Sequence, residues 1–267
     1  IPPSPAACIP GTWATNGMWQ GDSLFVLANF IRRDFHIRYR NMSLGVAWSV
    51  LNPLVMMSVL TFVSTFVFPG RTIQEYAIST LCGLVPFNFF AVTWTTGTSC
   101  LSDNANLIKR VPVPREIVPI ASVLANAIQL LVQPLLLLLI VLLFGKGVSI
   151  YWLLLPVLWV LTVVFLCGLV LLSSAVNVFV RDTRYIVESA CTLLFWLVPI
   201  LYPFESIPLQ YRGIYELNPV AAMVMAMRRI LMDVAAPPPS IIWKLAIVSG
   251  VTMGFGLWAF QKMKRRF

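Results

Sequence analysis

Four stretches of the sequence carry no charged side chain at all: 44–68, 76–102, 117–145 and 147–180. A helix needs about 20 residues to cross the hydrocarbon core of a bilayer, and each stretch exceeds that. None alternates polar with apolar residues, so the pattern selects helices over a transmembrane barrel. A fifth apolar run, 186–203, carries Glu188 near one edge, and a sixth, 241–261, carries Lys244 near its start. A lysine there can extend its head to the interface while its methylenes stay in lipid. The expected fold is an all-α integral membrane protein with six transmembrane helices.

Composition removes the soluble alternatives. Charged residues make up 11% of the chain and apolar ones 59%, against about 25% charged in an ordinary soluble domain. Mean hydropathy is +0.85. A net charge of +9 could suggest a nucleic-acid partner, but the basic residues form short clusters between apolar runs, not one stripe. No nucleic acid is expected. Cys8, Cys82, Cys100, Cys167 and Cys191 are scattered and His36 is the sole histidine, so no metal-ligand spacing exists and no metal site is expected. Residues 1–21 lack a basic stretch followed by an apolar core, and no signal peptide is expected there.

Orientation follows from lysine and arginine, which accumulate on the cytoplasmic side. One set of alternate segments holds Arg32, Arg33, Arg38 and Arg40; Lys109, Arg110 and Arg115; Arg181 and Arg184; and Lys262, Lys264, Arg265 and Arg266. The opposite set holds Arg71, Lys146, Arg212, Arg228, Arg229 and Lys244. The split is thirteen to six, so both termini are expected to be cytoplasmic, in a multi-pass protein of the inner membrane. Six spans give the parity this requires.

Two segments are neither span nor short loop. Residues 24–40 mix Leu24, Leu27, Phe30, Ile31 and Phe35 with four arginines, as an amphipathic helix lying in the interface would. The alternative is an ordinary basic flank before the first span. Residues 204–240 are too long for a turn, and their apolar stretch 217–227 is too short to cross. A re-entrant or interfacial helical pair is expected there, enclosed by protein or water. The organisation is thus an irregular segment at 1–23, an interfacial helix at 24–43 and a six-span domain at 44–267.

Catalytic signatures are missing. There is no GxxxxGK[ST] string, and Gly145-Lys146-Gly147 lacks both the upstream glycine and the hydroxyl. The apolar runs hold no midplane carboxylate or base of the kind that couples transport to an ion. A transporter built this way draws its energy from a partner.

Arg32-Arg33-Asp34-Phe35, Arg38-Tyr39-Arg40, Leu44-Gly45-Val46-Ala47-Trp48 and Asn52-Pro53-Leu54 form one ordered set of short motifs. Asn106-Leu107-Ile108-Lys109-Arg110 and Pro114-Arg115-Glu116-Ile117-Val118-Pro119 follow at a distance, then Asn177-Val178-Phe179-Val180-Arg181-Asp182. Pro199-Ile200, Tyr202-Pro203 and Asn218-Pro219 with Arg228 complete the set. In order and spacing, over about 24–267, it resembles the ABC-2-type permeases that export lipid-linked O-antigens, capsular polysaccharides and teichoic acids. The resemblance implies a non-catalytic permease that pairs with a second copy of itself and with two copies of a separate ABC ATPase. That partner, not this chain, would bind ATP and Mg²⁺. The resemblance also implies that 24–40 is a gate helix, that 102–112 contains a helix coupling to the ATPase, and that the first and fifth spans line a channel.

On this basis the candidate coupling residues are Asn104, Asn106, Leu107, Ile108, Lys109 and Arg110. Arg32, Arg33, Arg38 and Arg40 are the gate candidates; paired hydrogen bonds from arginine suit a pyrophosphate, and plain topological anchoring is the competing account. A glycan presents apolar CH faces, so aromatic rings suit a sliding contact. Phe62, Phe66, Phe195, Trp196 and Tyr202 are the candidate lining, against the alternative of ordinary packing. Asn218, Pro219 and Arg228 mark the re-entrant region. Arg181 and Asp182 read as a loop ion pair or topology signal. Two rival functions remain: an exporter of drugs or lipids with the same topology, and a membrane-embedded glycosyltransferase or other lipid-modifying enzyme. The latter would need clustered acids, whereas Asp103, Glu116, Asp182 and Glu188 are dispersed.

Overall fold

A computed structural model describes residues 27–33, 47–67, 73–110, 114–143, 147, 149–200, 202, 210, 213, 215 and 218–264. Nine helices are designated here: α1 (Ala47–Val67), α2 (Ile73–Asp103), α3 (Ala105–Arg110), α4 (Ile117–Leu130), α5 (Val132–Leu143), α6 (Leu154–Phe179), α7 (Thr183–Leu197), α8 (Pro219–Leu231) and α9 (Pro239–Lys264). Residues 27–33 are helical as well, and no strand occurs among the described residues. Four segments are long and apolar enough to cross a membrane: Glu75–Asp103, Ile117–Leu143, Ile150–Phe179 and Pro239–Lys264. Leu51–Val63 within α1 is a shorter apolar helix.

Prolines explain where the helices depart from the sequence expectation. The run 117–145 is broken at Leu131, whose amide donates to Ile128 at 3.3 Å in a tightened turn. Pro134, three residues on, has no N–H to return to Leu130. The run 147–180 opens with a 3₁₀ turn, Ile150–Leu153, capped by the Ser149 hydroxyl accepting from the Tyr151 amide at 3.3 Å. The fifth span was expected over 186–203; α7 instead begins at Thr183 and ends at Leu197, before a bend containing Pro199. Fifteen residues rise about 22 Å, short of the ~30 Å core. In the bend, Val198 and Ile200 are each 1% exposed, packed into the core.

Of the four segments long enough to cross a membrane, α2 is the most enclosed, with 72% of its apolar window buried against 22% for α9. It packs on α1, α4, α6, α7 and α8. Polar side chains fix its neighbours. Thr98 shares a hydrogen bond with Ser173 of α6 at 2.8 Å, and Asn126 of α4 donates to Thr96 at 2.9 Å. Asn177 of α6 donates to Ser102 at 3.2 Å, and Asn88 donates to Gln133 of α5 at 3.1 Å. Such bonds contribute roughly 0.6–2 kcal/mol each within lipid and, unlike apolar packing, specify register. Elsewhere α6 and α9 meet backbone to backbone: a Cβ on Gly168 would lie 2.4 Å from the Thr252 carbonyl oxygen, and one on Gly256 would lie 2.2 Å from that of Gly168. Only glycine permits this approach.

Three buried clusters run along the bundle. At one end Phe30, Cys100, Leu101, Val118, Ala121, Leu171, Ala175 and Phe260 come together. Helix segment 27–33, the α2–α4 connection, the end of α6 and the end of α9 therefore share that end, which is the basic end. At the other end α8 is enclosed: Val220 through Met227 are all buried. Asn218 caps it by accepting from the Val220 amide at 3.0 Å, with Pro219 at the first turn, where the missing N–H costs nothing. The helix in the region expected to be re-entrant thus spans 219–231, somewhat later than the apolar stretch 217–227. Most of its expected partner lies outside the described residues.

Candidate functional site

The gate and coupling candidates converge at the basic end. Leu27 and Phe30 turn the apolar face of the 27–33 helix onto the terminal cluster, while Arg32 is exposed. Arg33 lies over the Phe30 ring, 4.8 Å from its centroid, and donates to the side-chain oxygen of Asn104 at 2.5 Å. Asn104 occupies the turn between α2 and α3, where its amide nitrogen donates to the Cys100 carbonyl at 2.8 Å. With both ends of its side chain engaged, Asn104 joins the 27–33 helix to the end of α2, one residue before the short helix begins. Arg38 and Arg40 lie outside the described residues.

Within α3, Asn106 is exposed and Ile108 is half-buried against the chain's own terminal cluster. Helix α3 therefore presents at least one of its two central apolar residues inward. The side chains of Leu107, Lys109 and Arg110 lie outside the described set. Nearby, Lys264 at the end of α9 pairs with Glu116 at 2.6 Å, fastening the C-terminal turn to the start of α4.

A polar cavity of about 520 Å³ opens beside this junction, lined by Arg33, Thr95, Thr96, Ser99, Asp103, Asn104, Arg184 and Glu188 among others. Its charges are mutually engaged: Ser99 donates to Asp103 at 2.7 Å and Arg184 pairs with Glu188 at 3.0 Å. The Arg184–Glu188 pair is about half exposed on both sides, so its contribution is small. Hydroxyls and paired ions in a cavity of this size can hold water or a polar group. Among the described residues no group of histidine, cysteine and carboxylate could hold a metal.

The lining candidates separate into two kinds. Phe62 and Phe66 of α1 are 67% and 73% exposed and stack edge to face at 4.9 Å, and Trp196 of α7 is 66% exposed. Phe195 instead turns inward against Phe87, 5.4 Å between centroids. Tyr202 donates to the Leu197 carbonyl at 2.8 Å and lies 3.4 Å from the Tyr215 hydroxyl. The structure thus leaves three rings on the surface and commits two to packing.

Arg228 has a role that the sequence concealed. Its guanidinium donates to the carbonyls of Ile200 at 2.5 Å, Tyr202 at 3.1 Å and Ser79 at 3.3 Å. It satisfies the non-helical backbone left by the bend after α7 and ties it to α2 and α8. Unpaired carbonyls at this depth would each cost several kcal/mol.

With this arrangement in view, relatives become informative. A model of the ABC-2 type transporter family matches residues 27–232. The chain belongs to that family. The match begins at the 27–33 helix and runs through α8, so it includes Arg33 and Asn104 and stops short of α9. ABC-2 relatives include an O-antigen export system permease protein, RfbA, of Klebsiella pneumoniae, 29% identical over 92% of this chain and 93% of its own. Another of that name from Myxococcus xanthus is 27% identical over 91% and 94%. The polysialic acid transport protein KpsM of Escherichia coli is 25% identical over 86% and 90%.

Proposed function

We propose that the chain is the permease subunit of an ABC exporter that moves a lipid-linked, O-antigen-like polysaccharide across the inner membrane. It acts as a homodimer with two copies of a separate ATPase, its basic end and both termini in the cytoplasm. The chain performs no chemistry; ATP and Mg²⁺ act in the ATPase. The observation that carries this reading is the Arg33–Asn104 bond, considered with near full-length relatives named for O-antigen export.

ATP binding by the partner would displace α3, and Asn104 would pass that displacement to the gate segment. A ligand shifts such an equilibrium only by its differential affinity for the two states. Reversing a hundredfold bias needs about 5.5 kcal/mol, more than one charged hydrogen bond at about 1.5–3 kcal/mol supplies. The packing of Phe30 and Ile108 in the same cluster would carry the remainder. Exposed Phe62, Phe66 and Trp196 would then offer a moving glycan flat apolar faces without fixed charge.

The test is reconstitution with the ATPase in proteoliposomes. Lipid-linked glycan should stimulate ATP turnover several-fold, whereas the lipid carrier without sugar and an amphiphilic drug should not. Stimulation by the drug alone would favour the exporter of small amphiphiles.

A further inference from the structure

Helices α6 and α9 run side by side toward the basic end, locked where Gly168 meets Gly256. Beyond that lock an open cleft of about 1090 Å³ separates their ends, lined by Val176, Phe179 and Val180 on one side and Trp258, Gln261 and Lys262 on the other. Its walls are apolar and its mouth is cationic. The Lys262 ammonium stands 5.1 Å from the centroid of the Trp258 ring, and that ring is 58% exposed. We propose that the cleft binds an anionic glycerophospholipid from the leaflet on the basic side, its phosphate on Lys262 and an acyl chain laid along α9.

Three features choose this occupant. Gly250, Gly254, Trp258 and Lys262 follow one another at i+4 on α9, and a Cβ on either glycine would meet nothing within 4 Å. The strip is therefore bare helix deep in the membrane, then an indole, then an ammonium. Twelve residues from Gly250 to Lys262 rise about 18 Å, close to half of the ~30 Å hydrocarbon core, so the strip has the length of one leaflet. Tryptophan and lysine at the outer end match the interface, where an indole sits among head groups and basic residues attract anionic lipids. Ile247, Val251 and Phe255, each about half exposed or more, flank the strip with apolar surface.

A second copy of the chain fits worse. Subunits of a membrane dimer turn about an axis along the bilayer normal, so each residue keeps its depth. Two such clefts facing each other would bring ammonium toward ammonium. The cavity beside Arg33 also differs in kind, since it contains both carboxylates and arginines.

Native mass spectrometry of the purified full chain tests the proposal, with dioleoylphosphatidylglycerol, dioleoylphosphatidylcholine and undecaprenyl diphosphate as probes. The wild type should retain phosphatidylglycerol over phosphatidylcholine by about fivefold, the scale of one lysine facing an anionic lipid. Lys262→Gln should remove most of that preference, and Lys244→Gln at the opposite end should leave it intact. Gly254→Leu, which fills the strip without touching charge, should lower retention of phosphatidylglycerol while the chain remains monodisperse. Equal retention of both phospholipids, or an unchanged preference in Lys262→Gln, would overturn the assignment. So would undecaprenyl diphosphate displacing phosphatidylglycerol in a Lys262-dependent way, or a Gln261→Cys variant forming a disulfide with its copy in membranes.

Discussion

Arg33 and Asn104 lie 71 positions apart and share a hydrogen bond of 2.5 Å between the gate segment and the turn that starts α3. A guanidinium placed there can answer to events on either side, because Asn104 is also bound to the end of α2 through Cys100. Under the proposed function, sensing the ATPase and opening the entrance would share this one contact.

If that contact transmits motion, its two halves act as one unit. Arg33→Gln and Asn104→Ala should each lower glycan-stimulated ATP turnover about tenfold, the scale of one charge-assisted bond. The double variant should be no worse than either single one. Additive losses, with assembly intact, would make the pair two independent surface contacts.

The short helix offers a sharper contrast. Ile108 packs on the chain's own cluster, so Ile108→Asp should destabilise the permease itself, lowering its melting temperature and yield, through an unpaired buried charge. Leu107→Asp should leave the isolated permease folded and abolish co-purification with the ATPase. Undiminished pairing and export in Leu107→Asp would end the coupling assignment for α3.

Among the aromatics, stability and transport should part company. Phe195→Ala removes the half-buried ring packed on Phe87 and should cost about 3 kcal/mol. Phe66→Ala and Trp196→Ala, at exposed positions, should leave thermal stability almost unchanged while export falls several-fold. Parallel loss of dimer assembly and export would make both exposed rings interface residues.

Sidedness can be read directly from cysteine labelling in intact cells. Gly147→Cys lies at an exposed position away from the basic end and should react with an impermeant maleimide from outside. Asn106→Cys, exposed on α3, should react only after permeabilisation. External labelling at 106 would invert the charge-based orientation.

Arg228 should tolerate no substitute. Arg228→Met leaves the carbonyls of Ser79, Ile200 and Tyr202 without their donor and should destabilise by about 3 kcal/mol or more. Arg228→Lys should rescue little, since one ammonium lacks the planar fork that reaches three directions. Full recovery with lysine would reduce the role to charge alone.

The spans were legible because lipid leaves an unmistakable mark: 117–145 and 147–180 hold no charge. The break at Leu131 and the early end of α7 were also written, in Pro134 and Pro199, but length dominated that reading. Other features have no one-dimensional trace. Phe195 and Trp196 are neighbours of similar chemistry, and only a rotation of about 100° per residue sends one inward and the other out. Gly168 declares a close approach without naming Gly256. The Arg33–Asn104 bond joins two residues each singled out for a different reason, and nothing in the spacing pairs them.

Arg228 is different again, because its partners are backbone oxygens. A peptide carbonyl is nearly the same object whichever residue supplies it, so positions 79, 200 and 202 can drift without disturbing their share of the bond. Mutational tolerance around this corner is therefore lopsided, with three acceptors that any amino acid can provide and one donor that only arginine can. The heritable instruction for holding three segments of chain together is concentrated in a single codon.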